Sequence, residues 1–356
     1  MDRQAGKILI LLCLLCMAGC VKDKPATRNN TYTTKGDVYI VCEGNFGTGD
    51  ASLYAYDPTA DSVYGDLYTA ANGQPLGDVF QSMIRMGDSL YLCINNSDKI
   101  VVLNAADRKL AGTISIPKPR YIVPAGNGRA YVSTLYSNNL YTIDPRTLQV
   151  TGTIPLPDRN PEGMCLHNGK VLVCTWDTLS NKLYQLDAAT GQLQQPILLP
   201  GYAPHAVLAD KEQMLWVMAG NVIRKRTATL TRIDPSTGAV LKSYTFPAGC
   251  DPIKPVFNST RDTLYFIQVK YDGSTADNGI YRMSIYDAAL PATPLIQSVQ
   301  YQYFWALGIE PATGNIYVGD PKGFVQKGSV SVYRPDGTLI TSFLSGLGPG
   351  MFYFGK

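Results

Sequence analysis

Apolar and polar residues alternate with a period of two along most of the chain after residue 36. The stretch Leu140–Asp144 (Leu-Tyr-Thr-Ile-Asp) is typical, and β-branched and aromatic residues recur in similar stretches. Because successive side chains of a β-strand point to opposite faces of a sheet, this alternation predicts strands. No stretch after residue 20 keeps the 3.6-residue period of an amphipathic helix, so the sequence predicts an all-β fold.

The alternating strands belong to a repeat that occurs seven times. In each copy a strand ends at an Asp, or at a residue that takes its place, and a short turn leads to another strand. These positions are Asp57, Asn104, Asp144, Asp187, Asp234, Asp287 and Arg334, at intervals of 47, 40, 43, 47, 53 and 47 residues. One four-stranded propeller blade uses about 40–50 residues, so the repeat predicts a seven-bladed β-propeller over residues 37–356.

The two ends of this region are complementary. The first strand, beginning at Asp37-Val38-Tyr39, matches the second strand of a blade and has no inner strand before it. The chain ends in Pro349–Phe354, which matches an inner strand with no second strand after it. We therefore expect residues 349–356 to complete the first blade, which removes an open sheet edge.

The N-terminus has the features of a secretion signal. A ten-residue apolar run, Ile8–Met17, follows two basic residues, and it is too short for a bilayer span of about 20 residues. The sequence Met-Ala-Gly-Cys at 17–20 then resembles a bacterial lipobox. This predicts a signal peptide over 1–19, a lipidated Cys20 and a flexible polar tether over 20–36; simple secretory cleavage near Ala18 is the alternative.

Charge and cysteine content exclude several classes of protein. Without residues 1–20, 29 basic and 27 acidic side chains remain, a balance that does not suggest a nucleic-acid partner. The remaining cysteines are odd in number, irregularly spaced and without a C-x-x-C pair, which indicates neither a disulfide framework nor a zinc site. They are Cys42, Cys93, Cys165, Cys174 and Cys250. We expect Cys93 and Cys174 to be small packing residues in strands.

One face of the predicted propeller collects the chemically varied loops. Loops that join outer to inner strands share this face with those that join second to third strands, and they carry aromatic, amide and charged residues. Such residues around one concave mouth are typical of a small-molecule site. The predicted ligand-binding residues are Asn45, Phe46, Phe80, Asn95, Arg120, Tyr121, Tyr136, Glu162, Trp176, Tyr202, His205 and Trp305.

Catalytic and metal-binding patterns are weak. The chain has only two histidines, His167 and His205, so a three-histidine metal centre is excluded and a Ser-His-Asp relay would have to use His205. Asp272 and Asp277 do not follow the spacing of a calcium-binding EF-hand loop. The sequence predicts no catalytic residue, no metal site, no cofactor and no enzymatic activity.

Five segments together resemble the YncE-like seven-bladed propeller surface lipoproteins of Bacteroidota, which include the BtuG-type cobalamin-binding lipoproteins. The segments are 43–47 (EGNFG), 80–83 (FQSM), 95–100 (NNSDKI), 119–121 (PRY) and 161–164 (PEGM). The similarity is best in blades one to four and thins through blades five to seven. Lys22-Asp23-Lys24 also resembles the charged segment that sends such lipoproteins to the cell surface.

The resemblance implies a function. It implies a monomeric protein, lipid-anchored at the outer membrane and facing the exterior, that binds cobalamin or a related corrinoid. The ligand would pass to a TonB-dependent outer-membrane transporter, with Arg120 and amides bonding the corrin side chains and aromatic rings covering its flat face. The alternatives are a surface module that binds a protein or glycan without a small ligand and a lactonase-type hydrolase.

Overall fold

The computed structural model describes residues 38–273 and 275–355, and these residues form seven four-stranded antiparallel sheets. Each sheet is one blade, so the predicted all-β, seven-bladed propeller is confirmed. The predicted signal peptide (1–19), the lipidated Cys20 and the tether up to residue 36 lie outside the described residues. No helix within the described ranges has the length and apolar character to cross a membrane.

The strands follow one another with short connections. The first fourteen are β1 (Val38–Cys42), β2 (Ser52–Asp57), β3 (Ser62–Tyr64), β4 (Phe80–Met86), β5 (Ser89–Ile94), β6 (Lys99–Asn104), β7 (Leu110–Ser115), β8 (Pro119–Gly126), β9 (Arg129–Thr134), β10 (Asn139–Asp144), β11 (Gln149–Pro155), β12 (Pro161–His167), β13 (Lys170–Thr175) and β14 (Lys182–Asp187). The next fourteen are β15 (Leu193–Leu198), β16 (Pro204–Ala209), β17 (Leu215–Asn221), β18 (Arg226–Ile233), β19 (Val240–Thr245), β20 (Asp251–Phe257), β21 (Thr263–Val269), β22 (Gly279–Ser284), β23 (Ile296–Gln297), β24 (Ala306–Ile309), β25 (Ile316–Asp320), β26 (Lys327–Tyr333), β27 (Leu339–Leu347) and β28 (Pro349–Phe354). Within the described ranges, three single-turn 3-10 segments lie in loops at Asn95–Ser97, Val222–Arg224 and Lys322–Phe324.

Blades 2 to 7 each use four consecutive strands, whereas blade 1 takes strands from both ends of the chain. Its order is β28-β1-β2-β3. The C-terminal strand runs antiparallel to β1, with Phe354 opposite Val38 and Phe352 opposite Ile40. The ring is therefore closed by backbone hydrogen bonds between the two ends of the propeller.

Aromatic packing holds the first and last blades together. Tyr56 of blade 1 stacks on Phe343 of blade 7, with ring centroids 4.4 Å apart. Tyr317 of blade 7 lies edge-on to Phe354 of blade 1 at 5.4 Å. Each such pair contributes about 0.5–1.5 kcal/mol beyond the area it buries. The closing interface is thus a packed part of the core as well as a strand pairing.

The recurring Asp at the end of the third strand has a structural role on the face opposite the varied loops. Its carboxylate accepts hydrogen bonds from backbone N–H groups of the following turn, for example from Thr190 to Asp187 at 2.8 Å and from Ser236 to Asp234 at 2.8 Å. These bonds favour a tight reversal. In blade 7, where Arg334 occupies the position, Asp336 accepts from the N–H of Thr338 at 2.9 Å instead.

A short helix, α1 (Leu67–Asn72), interrupts the strands between β3 and β4. Asp66 precedes it and accepts a hydrogen bond from the N–H of Thr69 at 3.2 Å, which caps the first turn. Tyr68 is buried, and the side chain of Asn72 donates to the carbonyl of Arg108 in blade 2 at 3.0 Å. Six residues are too few to show a helical period, so this element was not predicted.

The cysteines of the described ranges are structural. None of the five takes part in a disulfide, and all except the half-buried Cys165 are fully enclosed. Burial raises the pKa of Cys93 to about 12, so its thiol stays protonated at neutral pH. Cys93 and Cys174 pack in β5 and β13 as expected from the sequence.

Candidate functional site

The inner strands of blades 1 to 6 each carry a β-bulge near the loop-rich face. In β4 the pairing register shifts between Phe80 and Ser82, which leaves Gln81 without a partner. In β16 it shifts between Pro204 and Ala206 and leaves His205. A bulge re-aims the extra side chain. The residues at the bulges are Gly350, Gln81, Arg120 with Tyr121, Glu162 with Gly163, His205, and Lys254 with Pro255.

A repeated backbone contact precedes five of these bulges. In each case the residue directly before the inner strand has a left-handed backbone with positive φ, and its carbonyl accepts a hydrogen bond from an N–H at the end of the second strand or directly after it. The bonds run from Glu43 to Gly348 (2.8 Å), Asn95 to Val79 (2.7 Å), Leu135 to Lys118 (3.0 Å), Trp176 to Asn160 (2.8 Å) and Gly220 to Ala203 (3.1 Å). Non-glycine residues in this conformation need support from their surroundings. These bonds join the entry of each inner strand to the loop beside it.

All of the bulge residues and all five of these N–H donors line one central cavity of about 640 Å³. Nine of the twelve predicted binding residues line it as well. These nine are Phe46, Asn95, Arg120, Tyr121, Tyr136, Glu162, Trp176, His205 and Trp305. The structure therefore brings most of the predicted set together at one mouth.

A buried ion pair forms part of the cavity wall. Arg120 donates two hydrogen bonds to Glu162, from Nε to Oε2 at 2.8 Å and from Nη2 to Oε1 at 2.5 Å. A third bond runs from Nη1 of Arg120 to Oε1 of Gln81. Burial lowers the pKa of Arg120, but Glu162 raises it more, so the guanidinium stays charged. Three N–H groups of Arg120 are thus engaged by the protein.

A second polar group lies across the cavity. Trp305 donates from Nε1 to Oε1 of Glu43 at 2.8 Å. Lys254 donates from Nζ to the carbonyl of Gly350 at 2.9 Å and sits 5.6 Å from the centre of the Trp305 ring. Burial lowers the pKa of Lys254, while the nearby Glu43 acts in the opposite direction. A Cβ at position 350 would lie 2.2 Å from Oε1 of Glu43, so a larger residue there would displace this carboxylate.

His205 differs from the other polar bulge residues. The side chains of Gln81, Arg120 and Glu162 bond one another and that of Lys254 bonds the carbonyl of Gly350, whereas the His205 ring forms no hydrogen bond with any residue of the described ranges. Burial lowers the pKa of His205 to about 4. Its imidazole is therefore neutral at pH 7.

Exposed aromatic rings form the rim. Phe46 and Tyr136 are 75% and 70% exposed, and Trp176 is 37% exposed. The Trp176 ring is fixed by a hydrogen bond from its Nε1 to the carbonyl of Gly220 at 3.2 Å. The Phe46 loop is tied down by Gly47, whose N–H donates to Asp78 at 3.0 Å. The rim thus presents apolar rings on anchored loops.

Three predicted binding residues lie outside the cavity lining. Phe80 is completely buried in the core between blades 1 and 2, because it precedes the bulge and keeps its place in the ladder. The backbone N–H of Asn45 donates to Asp50, which shapes the loop rather than the cavity. The ring of Tyr202 is covered by the guanidinium of Arg226, 4.6 Å from its centre.

Other lining residues were absent from the predicted set. They include Glu43, Gln81, Asp251, Lys254, Gly350 and Met351. Gln81 is the second residue of its inner strand, as Arg120, Glu162 and His205 are of theirs. This shared position could have identified Gln81 from the sequence. Glu43 follows β1 directly, as Asn95 follows β5 and Trp176 follows β13.

The described residues hold no group of three or more His, Cys, Asp or Glu side chains arranged to bind a metal ion. In the long loop of blade 6, Asp277 forms an ion pair with Lys270. Of the residues at the basic run 224–226, Arg226 stacks on Tyr202, and none of the three lines the cavity.

Proteins of different kinds have solved structures with a similar fold. A quinonprotein alcohol dehydrogenase-like protein of Bacteroides thetaiotaomicron has a TM-score of 0.70 and 16% identity, covering 91% of this chain and 79% of its own. Hydrazine synthase of Kuenenia stuttgartiensis has a TM-score of 0.60 and 13% identity, covering 74% of this chain and 86% of its own. A streptogramin B lyase has a TM-score of 0.54 and 14% identity, covering 78% and 90%. At these identities the likeness shows the fold alone.

Sequence comparison identifies the family of the chain. No curated protein matches the chain. Residues 36–345 match the family model described as a domain of unknown function, DUF5074, and this range includes the propeller except the end of β27 and the closing strand β28. The chain therefore belongs to the DUF5074 family.

Proposed function

We propose that this propeller is a binding protein that captures a small molecule at its central mouth, with cobalamin or a related corrinoid as the leading ligand. The observation that carries the proposal is the convergence of six bulged inner strands on one cavity of about 640 Å³. Pockets of this size with an apolar rim and a few fixed polar groups are typical of small-molecule sites. A solvent-exposed patch without a cavity would instead favour the surface-module alternative.

The chemistry of the lining suits a corrinoid. A corrin is a flat, largely apolar ring with amide side chains at its edge. The exposed rings of Phe46, Tyr136 and Trp176 offer contact for such a plane, and their anchored loops limit the entropy lost on binding. The Asn95 side chain donates to the carbonyl of Pro119 at 3.1 Å, which leaves its own carbonyl available to a ligand amide. Arg120, held by Glu162 and Gln81, has a positioning role in this proposal.

We propose a binding role rather than an enzymatic one. The only histidine in the lining is His205, and no carboxylate within the described ranges forms a hydrogen bond with it. A relay of nucleophile, base and orienting acid requires such a chain of contacts. Activity towards lactones that is lost with a metal chelator would contradict this part of the proposal.

Lipidation at Cys20, a location on the outer membrane and delivery to a TonB-dependent transporter complete the proposal. The lipobox-like sequence and the polar segment 21–36 support the lipid anchor, whereas the location and the delivery step follow from the resemblance to surface lipoproteins. Incorporation of labelled palmitate should be lost in Cys20→Ala. Co-purification with a barrel transporter in the absence of any small ligand would favour the surface-module function instead.

The test of ligand capture is calorimetric titration with cyanocobalamin and with cobinamide. We expect binding at micromolar protein or below, and about tenfold weaker binding for the double variant Tyr136→Ala/Trp176→Ala, since two rim rings are lost. Leu241→Ala is the matched control, because Leu241 is 49% exposed on the outer strand β19. The absence of binding by either corrinoid would eliminate the corrinoid proposal.

A further inference from the structure

His205 occupies the same structural position as the polar residues that build the cavity wall. The bulge in β16 leaves it out of the pairing between β16 and β17, and its side chain lines the cavity. Gln81, Arg120 and Glu162, at the corresponding positions of blades 2 to 4, hold one another in place. The side chains at those three bulges thus form hydrogen bonds with one another, whereas the His205 ring has no hydrogen-bond partner among the described residues.

A neutral imidazole without a hydrogen-bond partner can act as a metal ligand. The His205 ring is half-buried in the cavity wall, so a bound ligand can supply its partner without displacing an existing protein contact. A neutral imidazole carries a lone pair on one ring nitrogen and is the most common protein ligand of transition metals. Hydrogen bonding to a ligand amide would use the same ring, but in the proposed site the Asn95 carbonyl is the group that accepts from an amide.

We infer that His205 binds the central cobalt of the captured corrinoid as an axial ligand. The inference rests on the proposed function, because it requires a ligand with a metal at the centre of a flat ring. Such a ring has open positions above and below its plane, and a side chain projecting into the cavity from β16 can reach one of them. The rim rings of Tyr136 and Trp176 would then hold the edge of the same ring.

The binding step is a ligand exchange. A water molecule leaves cobalt, and the lone pair of one His205 nitrogen forms the new nitrogen–cobalt bond. The cobalt keeps its oxidation state, and no proton moves because the imidazole is already neutral. No oxidant, reductant or further reactant is needed.

The test compares two forms of cobinamide with the purified protein. Diaquacobinamide has exchangeable axial waters, whereas the cyanides of dicyanocobinamide block both axial positions. We expect the visible spectrum of diaquacobinamide to change on binding to the unmodified protein, and this form to bind roughly tenfold more tightly than the dicyano form. His205→Ala should lose both the spectral change and the preference.

His167→Ala is the matched control, since it removes the other histidine of the chain. His167 ends β12, lies outside the cavity lining, and its ring contacts the side chain of Asn168 at 3.0 Å. This variant should keep the spectral change and the preference. Thermal melting of both variants checks that each remains folded.

Electron paramagnetic resonance of cob(II)inamide bound to the unmodified protein gives a readout that needs no variant. Splitting of the cobalt signal by one nitrogen nucleus would support the bond. If cobinamide binds but shows neither splitting nor a spectral change, or if His205→Ala keeps both, the inference is wrong and ligand capture stands. If neither form of cobinamide binds, the proposed corrinoid function and this inference both fail.

Discussion

Arg120 and Glu162 show how single residues build the site. They lie 42 positions apart in the sequence, on the inner strands of neighbouring blades, and their side chains are 15% and 7% exposed. Two parallel hydrogen bonds hold the guanidinium and the carboxylate in one plane. Compared with two apolar residues of similar size, a buried ion pair adds little net stability. Removing only one partner, however, leaves an unpaired charge in the interior.

We therefore predict that Glu162→Gln lowers the free energy of unfolding by about 3 kcal/mol, because Arg120 stays charged and loses its carboxylate. The double variant Arg120→Met/Glu162→Met should lose less than this single change. Urea unfolding measures both effects. Arg146→Gln, at a pair where the arginine side chain is 81% exposed, should change the free energy by less than about 1 kcal/mol. Equal losses for single and double variants would contradict a pairing role for Glu162.

The inner strand with its bulge is the element that makes the site. A regular strand alternates its side chains between two faces, and an inserted residue shifts this alternation by one position. In β12 the bulge contains Glu162 and Gly163. Gly163 allows β12 to approach β16, since a Cβ at this position would lie 2.5 Å from the carbonyl oxygen of His205 and 3.0 Å from the Cα of Ala206. Neighbouring bulges are therefore packed against each other.

Gly163→Ala should push β16 away from β12. We predict a loss of about 1–3 kcal/mol in the free energy of unfolding, together with weaker ligand binding, since His205 moves with its backbone. Urea unfolding and calorimetric titration measure the two effects. Gly152→Ala is the control, because there the Cβ meets only the hydroxyl of Thr142, at 2.9 Å. Unchanged stability in Gly163→Ala would show that the two strands can separate without cost.

At the scale of the whole molecule, ring closure decides whether the cavity exists. The lining includes Glu43, which follows β1, and Gly350 and Met351 from β28. These residues come from opposite ends of the propeller and meet only because β28 pairs with β1. Without that pairing, β1 would be an open edge and the wall of the cavity would be incomplete.

Deletion of residues 349–356 should abolish the single cooperative thermal transition and cause aggregation, because the edge of β1 and the packing around Tyr317 and Phe343 become exposed. Deletion of residues 355 and 356 alone is the matched control, since β28 ends at Phe354. Calorimetry and size-exclusion chromatography measure the outcome. A monomer that melts cooperatively at the same temperature without residues 349–356 would disprove the closure role.

Local sequence patterns predicted the strands, the seven blades and the face that holds the cavity. The two-residue alternation, the turn signal at positions such as Asp144 and Asp187, and the unmatched strands at the two ends each act over short stretches or repeat at a fixed interval. Such signals are readable without knowledge of the fold. Most of the aromatic and charged residues of the mouth could be predicted in the same way, because the loops that follow the second and the outer strands always lie on one face.

Only the tertiary structure decided which side chains enter the cavity and what each one meets there. The bulges break the alternation, so the period of two could not separate the buried Phe80 from the adjacent Gln81 in the cavity. The pairing of Arg120 with Glu162 depends on contacts between blades about 40 residues apart, and so does the lack of a hydrogen-bond partner for His205 in the part of the chain that the structure describes. Sequence determines each blade through local interactions, whereas the site is set by how the closed ring brings the bulges together.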